Sequence, residues 1–284
     1  MREFIKGVSA GNDYIYVYGK PCRKNRITRA CNRRDGIGGD GVVFYEKLGD
    51  REYTFRIFNA DGSEAEFCGN ACLTLAKILF SAGAYKKNNL RQNDLKNTVL
   101  NDNIAGKNIK SFVFFTKAGR CEVETNGRKT SLIVPAPLRK KSEFAASVCG
   151  KSFKKIKVFS AGVFDSGNLH LAVRAEKADK GLANAIAACA KRSEEFPSGV
   201  NVEIFSLNES GACAVVKERG SGFTGSCGSG ALCVYSLFEE CASAKNGLKI
   251  AFEGGCLSVI RKDEKLLLSG CPEIVYMGRS EGLL

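Results

Sequence analysis

The chain of 284 residues has one histidine, no tryptophan, two methionines and five prolines. The lone His170 carries the strongest exclusion. No metal site built from several imidazoles can form, and a Ser-His-Asp or Cys-His arrangement could draw only on that residue. A single histidine reads first as a structural residue, and His170 is given no catalytic part. No apolar run approaches the roughly 18 residues of a membrane span. The opening Met1-Arg2-Glu3-Phe4-Ile5-Lys6 puts charges where a signal peptide needs an apolar stretch. The expectation is a cytoplasmic protein with no membrane partner. Cysteines two residues apart are also missing, so the usual zinc-knuckle spacing is absent and no metal is expected.

Cysteine itself is plentiful, at thirteen. In a reducing compartment these should remain thiols. Several, such as Cys189 and Cys213, read as small buried hydrophobes. Basic residues outnumber acidic ones, 43 to 30, for a net charge of +13. The excess is scattered over Arg23 to Arg34, Lys86-Lys87, Arg139 to Lys141 and Lys151 to Lys157, without interleaved aromatics. It reads as a solvated basic face, and no nucleic-acid partner is expected. Gly36-Ile37-Gly38-Gly39-Asp40-Gly41 formally matches G-x-G-x-x-G. It follows a basic polar stretch and leads into a strand-like Val42-Val43-Phe44, so it fails both context requirements of a dinucleotide fingerprint. A ligand-approaching turn and a plain structural turn both fit it.

The chain repeats itself. Ser9-Ala10-Gly11-Asn12-Asp13-Tyr14-Ile15 is echoed by Asp165-Ser166-Gly167-Asn168-Leu169-His170-Leu171. Asn59 precedes Cys68-Gly69-Asn70 by nine positions, as Glu218 precedes Cys227-Gly228-Ser229. Asn12 and Cys68 are 56 residues apart, and Asn168 and Cys227 are 59 apart. Ala118-Gly119-Arg120-Cys121 corresponds more weakly to Gly254-Gly255-Cys256-Leu257. Each cysteine follows a strand-like run, 53–58 or 212–216, and precedes a helical pattern, 71–82 or 231–242. Asn70 and Ser229 are expected as the N-caps of those helices. Short Gly-punctuated strands fill most of the remainder. Helices are expected only at about 71–83, 176–195 and 230–244, which predicts an α+β fold of two similar domains. Residues 86–110 hold seven asparagines and read as a surface insertion.

A cysteine at a helix N-terminus sees the positive end of the macrodipole, which favours thiolate. The unpaired N–H groups there can hold a carboxylate. Two thiols in equivalent places suit the inversion of a stereocentre: one removes the α-proton and the other returns a proton to the opposite face. Pyridoxal chemistry would need a Schiff-base lysine and a phosphate cradle, and neither signature is present; no cofactor is implied. Asn12, Asn59, Asn168, Asn201, Glu218 and Arg219 could bind an amino-acid head, with Arg219 taking a carboxylate and Glu218 an ammonium. Each asparagine taken singly reads equally as a turn or cap residue.

These segments resemble the diaminopimelate epimerase family: Gly11-Asn12-Asp13, 36–41, FNADGSEAEFCGN at 58–70, GNLH at 167–170, GVNVE at 199–203 and ERGSGFTGSCGSGA at 218–231. The resemblance implies two domains related by pseudo-twofold symmetry, each a curled mixed β-sheet around a central α-helix. The first would span 1–117 with strands of about 270–284 returning to it, and the second 118–269. It further implies interconversion of LL- and meso-diaminopimelate for lysine and peptidoglycan precursors, and a homodimer. Cys68 and Cys227 match the acid/base pair. Asn12, Asn59, Asn168, Asn201, Glu218 and Arg219 match substrate contacts, and Gly69, Asn70, Gly228 and Ser229 match groups that hold the reacting carboxylate. The chain departs from the family pattern at Ala71-Cys72-Leu73, Leu169 and Phe223. Those departures leave room for a racemase of another amino acid, such as histidine. A non-catalytic amino-acid-binding protein would be the other reading, but it would be favoured by loss of a cysteine, and both are present.

Overall fold

A computed structural model describes residues 2–87, 109–153, 155–242 and 247–284. Most of the asparagine-rich stretch expected as a surface insertion lies outside them. The chain divides into two compact units, Met1–Ile133 with Ser269–Leu284, and Val134–Leu268.

The first unit is organised by the alternation in Asn12–Tyr18. Successive side chains on a strand point to opposite faces, so Ile15 and Val17 face one way and Tyr14 and Tyr16 the other. This strand is central in a six-stranded sheet ordered Glu273–Ser280, Arg2–Ser9, Asn12–Tyr18, Gly41–Tyr45, Arg56–Asn59, Glu64–Ala65. Every pairing is antiparallel except that of Asn12–Tyr18 with Gly41–Tyr45. A parallel neighbour requires a crossover, and the helix Lys24–Cys31 supplies it. Its Ile27, Ala30 and Cys31 pack with Ile15, Val17, Val42 and Phe44 in one buried cluster. This helix went unrecognised in the basic stretch, because only those three apolar residues mark its inner face and no side chain caps its start.

The opposite face of the sheet receives the helix Gly69–Lys87, and Tyr16 donates its hydroxyl hydrogen bond to the Ala71 carbonyl at 3.2 Å. The hairpin of Lys110–Thr116 and Gly119–Thr125 also packs against this helix. Ala71, Cys72, Leu73, Thr74, Leu75 and Ala76 are all buried, as expected of a helix that is apolar all round.

The second unit repeats the order. Ile156–Asp165 and Leu169–Ala175 form a hairpin. The helix Lys180–Lys191 then crosses to Asn201–Asn208, which runs parallel to Leu169–Ala175. Gly211–Glu218 returns antiparallel, Gly222–Thr224 folds back on it, and the helix Gly228–Ala242 follows. Leu182, Ala183, Ile186 and Ala190 of the crossover helix pack with Leu171, Val173, Val202 and Ile204 of the sheet. That helix is shorter than the 176–195 expected, because Asp179 caps it by accepting the Leu182 amide at 2.8 Å. A further short helix, Glu143–Val148, was not anticipated; Ser142 caps it and Glu195 accepts from both Ser142 and the Phe144 amide.

The weak 118–121 and 254–257 correspondence holds at the level of structure, because each segment opens the second strand of a hairpin. The unit boundary lies beyond 117. Residues 119–125 pair on both sides, with Lys110–Thr116 and Thr130–Pro135, and stay with the first unit. None of the helices is long and apolar enough to cross a membrane among the described residues.

Candidate active site

Both repeated cysteines stand immediately before a helix. The Cys68 carbonyl accepts the Cys72 amide at 3.1 Å, and the Cys227 carbonyl accepts the Ala231 amide at 2.9 Å. Those are first intrahelical bonds, so the cysteines occupy the N-cap positions themselves. Asn70 and Ser229, expected as caps, lie two residues further on, inside the helices Gly69–Lys87 and Gly228–Ala242. Cys227 acts as a cap with its side chain too: Sγ accepts the Gly230 amide at 3.4 Å and sits 3.2 Å from the Ser229 hydroxyl. Gly230 is required here for space, since a Cβ at 230 would stand 2.6 Å from a Glu203 carboxylate oxygen.

A helix N-terminus alone would lower the thiol pKa at Cys227. The structure overturns that expectation. Burial pushes the Cys227 thiol well above its ordinary value, the Glu218 and Glu203 carboxylates push it further, and the donors from Ser229 and Gly230 oppose this without reversing it. In the ligand-free chain Cys227 rests as the protonated thiol. Glu218 is itself raised, by burial first and then by Glu203, against the Thr224 hydroxyl that it accepts at 2.6 Å.

The residue that sequence reasoning set aside is His170. It is fully buried, and its Nδ1 lies 2.7 Å from the carboxylate of Glu203, which is buried as completely. His170, Glu203 and Cys227 bring their donor atoms within 4.8 Å of one another. The signal for Glu203 was present, an acidic residue between Val202 and Ile204 on a strand whose neighbours are all core. Only pairing across the sheet, His170 beside Asn201 in parallel register, shows its partner.

Burial alone would lower the His170 pKa, but the Glu203 charge and hydrogen bond outweigh it and raise it above 6.5. A histidine raised on folding contributes stability below its unfolded pKa and loses it as pH rises through the folded value. Stability is therefore expected to fall as pH climbs past about 6.5. Glu203→Gln should flatten that part of the profile, as followed by urea unfolding from pH 5 to 9. An unchanged profile would mean that the pair is not ionised.

Asn201 braces the loops of this half. Its Nδ2 donates to the Leu169 carbonyl at 3.1 Å, and its Oδ1 accepts the Arg219 amide at 2.8 Å. Asn168 is exposed at the turn between the hairpin strands, and the Arg219 side chain is exposed beside Glu218. In the first unit, Asn70 is buried and donates to the Asn12 side chain at 2.6 Å. Asn59 ends its strand, exposed, and donates to Ser63 at 3.0 Å. The Tyr14 hydroxyl lies 3.3 Å from Cys68 Sγ.

The Gly36–Gly41 run is a structural turn. Amides of Ile37 and Gly38 close onto the Ala30 carbonyl and that of Gly39 onto Cys31. Arg33 ties Asp40 to Asp13, which also pairs with the buried Lys6 at 2.7 Å. Of the departures from the family pattern, Leu73 is core. Leu169 is exposed, and the Phe223 ring has the ammonium groups of Lys180 and Lys217 at 5.5 and 5.7 Å from its centroid.

The sequence profile of a family described as diaminopimelate epimerase matches residues 4–132. A diaminopimelate epimerase of Methanopyrus kandleri is 30% identical over 257 residues, covering 89% of this chain and 77% of that one. Another, of Methanocaldococcus jannaschii, is 27% identical and covers 96% and 97%. Among solved structures, a putative phenazine biosynthesis PhzC/PhzF protein from Clostridium difficile superposes with a TM-score of 0.65 at 16% identity, covering 99% of this chain and all of that one. A probable proline racemase from Agrobacterium radiobacter K84 reaches 0.63 at 10% identity, covering 99% and 93%. These structures share the fold of two similar α+β domains. With a cysteine at the N-cap position of a helix in each unit and a relative of this similarity over most of its length, the chain belongs to the diaminopimelate epimerase family and is an amino-acid epimerase.

Proposed function

We propose that this chain interconverts LL- and meso-diaminopimelate without a cofactor, using Cys68 and Cys227 as paired acid and base, in the supply of lysine and peptidoglycan precursors. The observation that carries the reading is the cysteine N-cap, present once in each unit at the same point of the same element order. One thiolate takes the α-proton and becomes a thiol. The electron pair left on carbon spreads into the adjacent carboxylate, and the other thiol delivers its proton to the opposite face and becomes a thiolate. Amides at Gly69 and Asn70, and at Gly228 and Ser229, would stabilise the charge that develops on that carboxylate. A Cys227 held as the thiol would be the donor, with Cys68 as the base, for the diastereomer whose α-proton faces Cys68, and the roles swap in the reverse direction. Asn12, Asn59, Asn168, Asn201, Glu218 and Arg219 would hold the distal amino-acid head, which positions the reacting carbon.

The test is LL-diaminopimelate in deuterated water. Meso product carrying one solvent deuterium at the inverted carbon is expected, and absence of exchange would remove the substrate assignment. The grouping of His170, Glu203 and Cys227 also fits a metal ion chemically. Turnover is expected to survive exhaustive chelation, measured before and after dialysis. A loss restored by adding a divalent metal would reassign Cys227 from proton transfer to ligation.

A further inference from the structure

We propose that Tyr14 is a catalytic residue for Cys68, donating its phenolic hydrogen bond to the thiolate form and so setting the pH at which Cys68 becomes a base. The inference rests on the reading of Cys68 as an acid/base thiol.

The geometry is local to the first unit. Tyr14 lies on the central strand, paired with Gly7 on one side and Gly41 on the other. Its ring is buried and its hydroxyl ends 3.3 Å from Cys68 Sγ. Gly41 leaves the ring its place, since a Cβ there would stand 3.3 Å from the ring and 2.2 Å from the Phe58 carbonyl. The neighbouring Tyr16 points to the same face but commits its hydroxyl to the Ala71 carbonyl. Tyr14 therefore delivers the hydroxyl to the sulfur, while Tyr16 secures the first turn of the helix that Cys68 caps.

The chemistry follows from which group keeps its proton. Burial raises the Tyr14 phenol well above 10, and a charge on Cys68 and the hydrogen bond to it raise it further. Tyr14 thus keeps its proton throughout the range in which a thiol titrates, and is the donor once Cys68 is ionised. A hydrogen bond to an ionised acceptor is stronger than one to its neutral form, so the phenol favours thiolate and lowers the Cys68 pKa. Other titratable groups bearing on the same place are Tyr16 and Cys72, both of which interact with Cys68 electrostatically. Beyond them, Cys121 is hydrogen-bonded to Cys72, Asp40 acts on Tyr14, and Asp13 acts on Tyr16.

Tyr14→Phe removes one oxygen and keeps the ring. The full chain is labelled with iodoacetamide between pH 5 and 10, and labelling of the Cys68 peptide is quantified by mass spectrometry. The expected result is a midpoint about one pH unit higher in the variant, which is about tenfold slower labelling on the acid limb, with the alkaline plateau unchanged. Fluorotyrosine placed at position 14 keeps the shape and makes a more acidic phenol; its midpoint should move down. An unchanged midpoint in Tyr14→Phe, or a lowered plateau at an unchanged midpoint, overturns the proposal. Because labelling needs no substrate, a shifted midpoint in a chain that fails to turn over diaminopimelate would leave Tyr14 in place and remove only the substrate assignment.

Discussion

Cys68→Ala and Cys227→Ala are each expected to abolish epimerisation, a loss of at least about 10³-fold given what a positioned acid or base contributes. The two should fail differently. Inversion needs both faces, whereas exchange at one face needs a single thiolate. Cys227→Ala should therefore keep wash-in of solvent deuterium without inversion, for the diastereomer whose α-proton faces Cys68, whereas Cys68→Ala, left with a thiol that burial and the Glu218 and Glu203 carboxylates hold protonated, should show far less. Stability should change little. Among the described residues neither cysteine is fully buried, and loss of a cap costs about 0.5–2 kcal/mol. The cost is expected to be larger at Cys227, whose sulfur accepts the Gly230 amide. Cooperative melting of both variants separates a catalytic loss from unfolding. Near wild-type inversion by either one ends the two-base reading.

Lysine is expected to be a poor substrate beside LL-diaminopimelate, and Arg219→Lys should reduce turnover of diaminopimelate. The guanidinium presents a planar fork that a carboxylate can accept bidentately, which an ammonium cannot reproduce. A hydrogen bond to a charged group contributes about 1.5–3 kcal/mol. The variant should therefore lose roughly ten- to a hundredfold in kcat/KM. The loop backbone is held in place by Asn201, through the Arg219 amide, while the Arg219 side chain is open to solvent in the ligand-free chain. Lysine, histidine and LL-diaminopimelate compared under identical conditions decide the matter. Faster racemisation of histidine or another monocarboxylate would keep the fold and the thiols but move the substrate. Leu169 and Phe223 would then be the first positions to change, because Leu169 opens the strand that carries His170 and Phe223 pairs with Lys217 on the strand that ends at Glu218. Leu73 is a weaker candidate, being wholly enclosed in its helix.

The repeat was legible because its marks are local. Turn glycines, a polar residue nine positions before a cysteine, and the change from strand alternation to a helical pattern are all short-range features. They place Cys68 and Cys227 at the entrance to helices without any knowledge of packing. Cap positions were less legible. Asn and Ser are the stronger capping side chains, yet the helices begin one residue after each cysteine, and in the second unit the Cys227 sulfur takes the cap. The helix Lys24–Cys31 was hidden by its charge, since three apolar side chains suffice to bury one narrow face.

By itself, then, the sequence determined the α+β class, the duplication and the place of the two cysteines before their helices, because each is written in residues close together along the chain. Tertiary structure alone decided the electrical state of the Cys227 thiol. A helix N-terminus would favour the Cys227 thiolate, but burial and carboxylates from two other strands, at Glu203 and Glu218, outweigh it. His170 acquires its partner only through a parallel strand pairing 31 positions on, which sets Asn201 beside it and Glu203 within reach. Tyr14 meets Cys68 across 54 residues because sheet and helix pack face to face. Charge and hydrogen bonding act through space over a few ångströms, and such distances are fixed by packing.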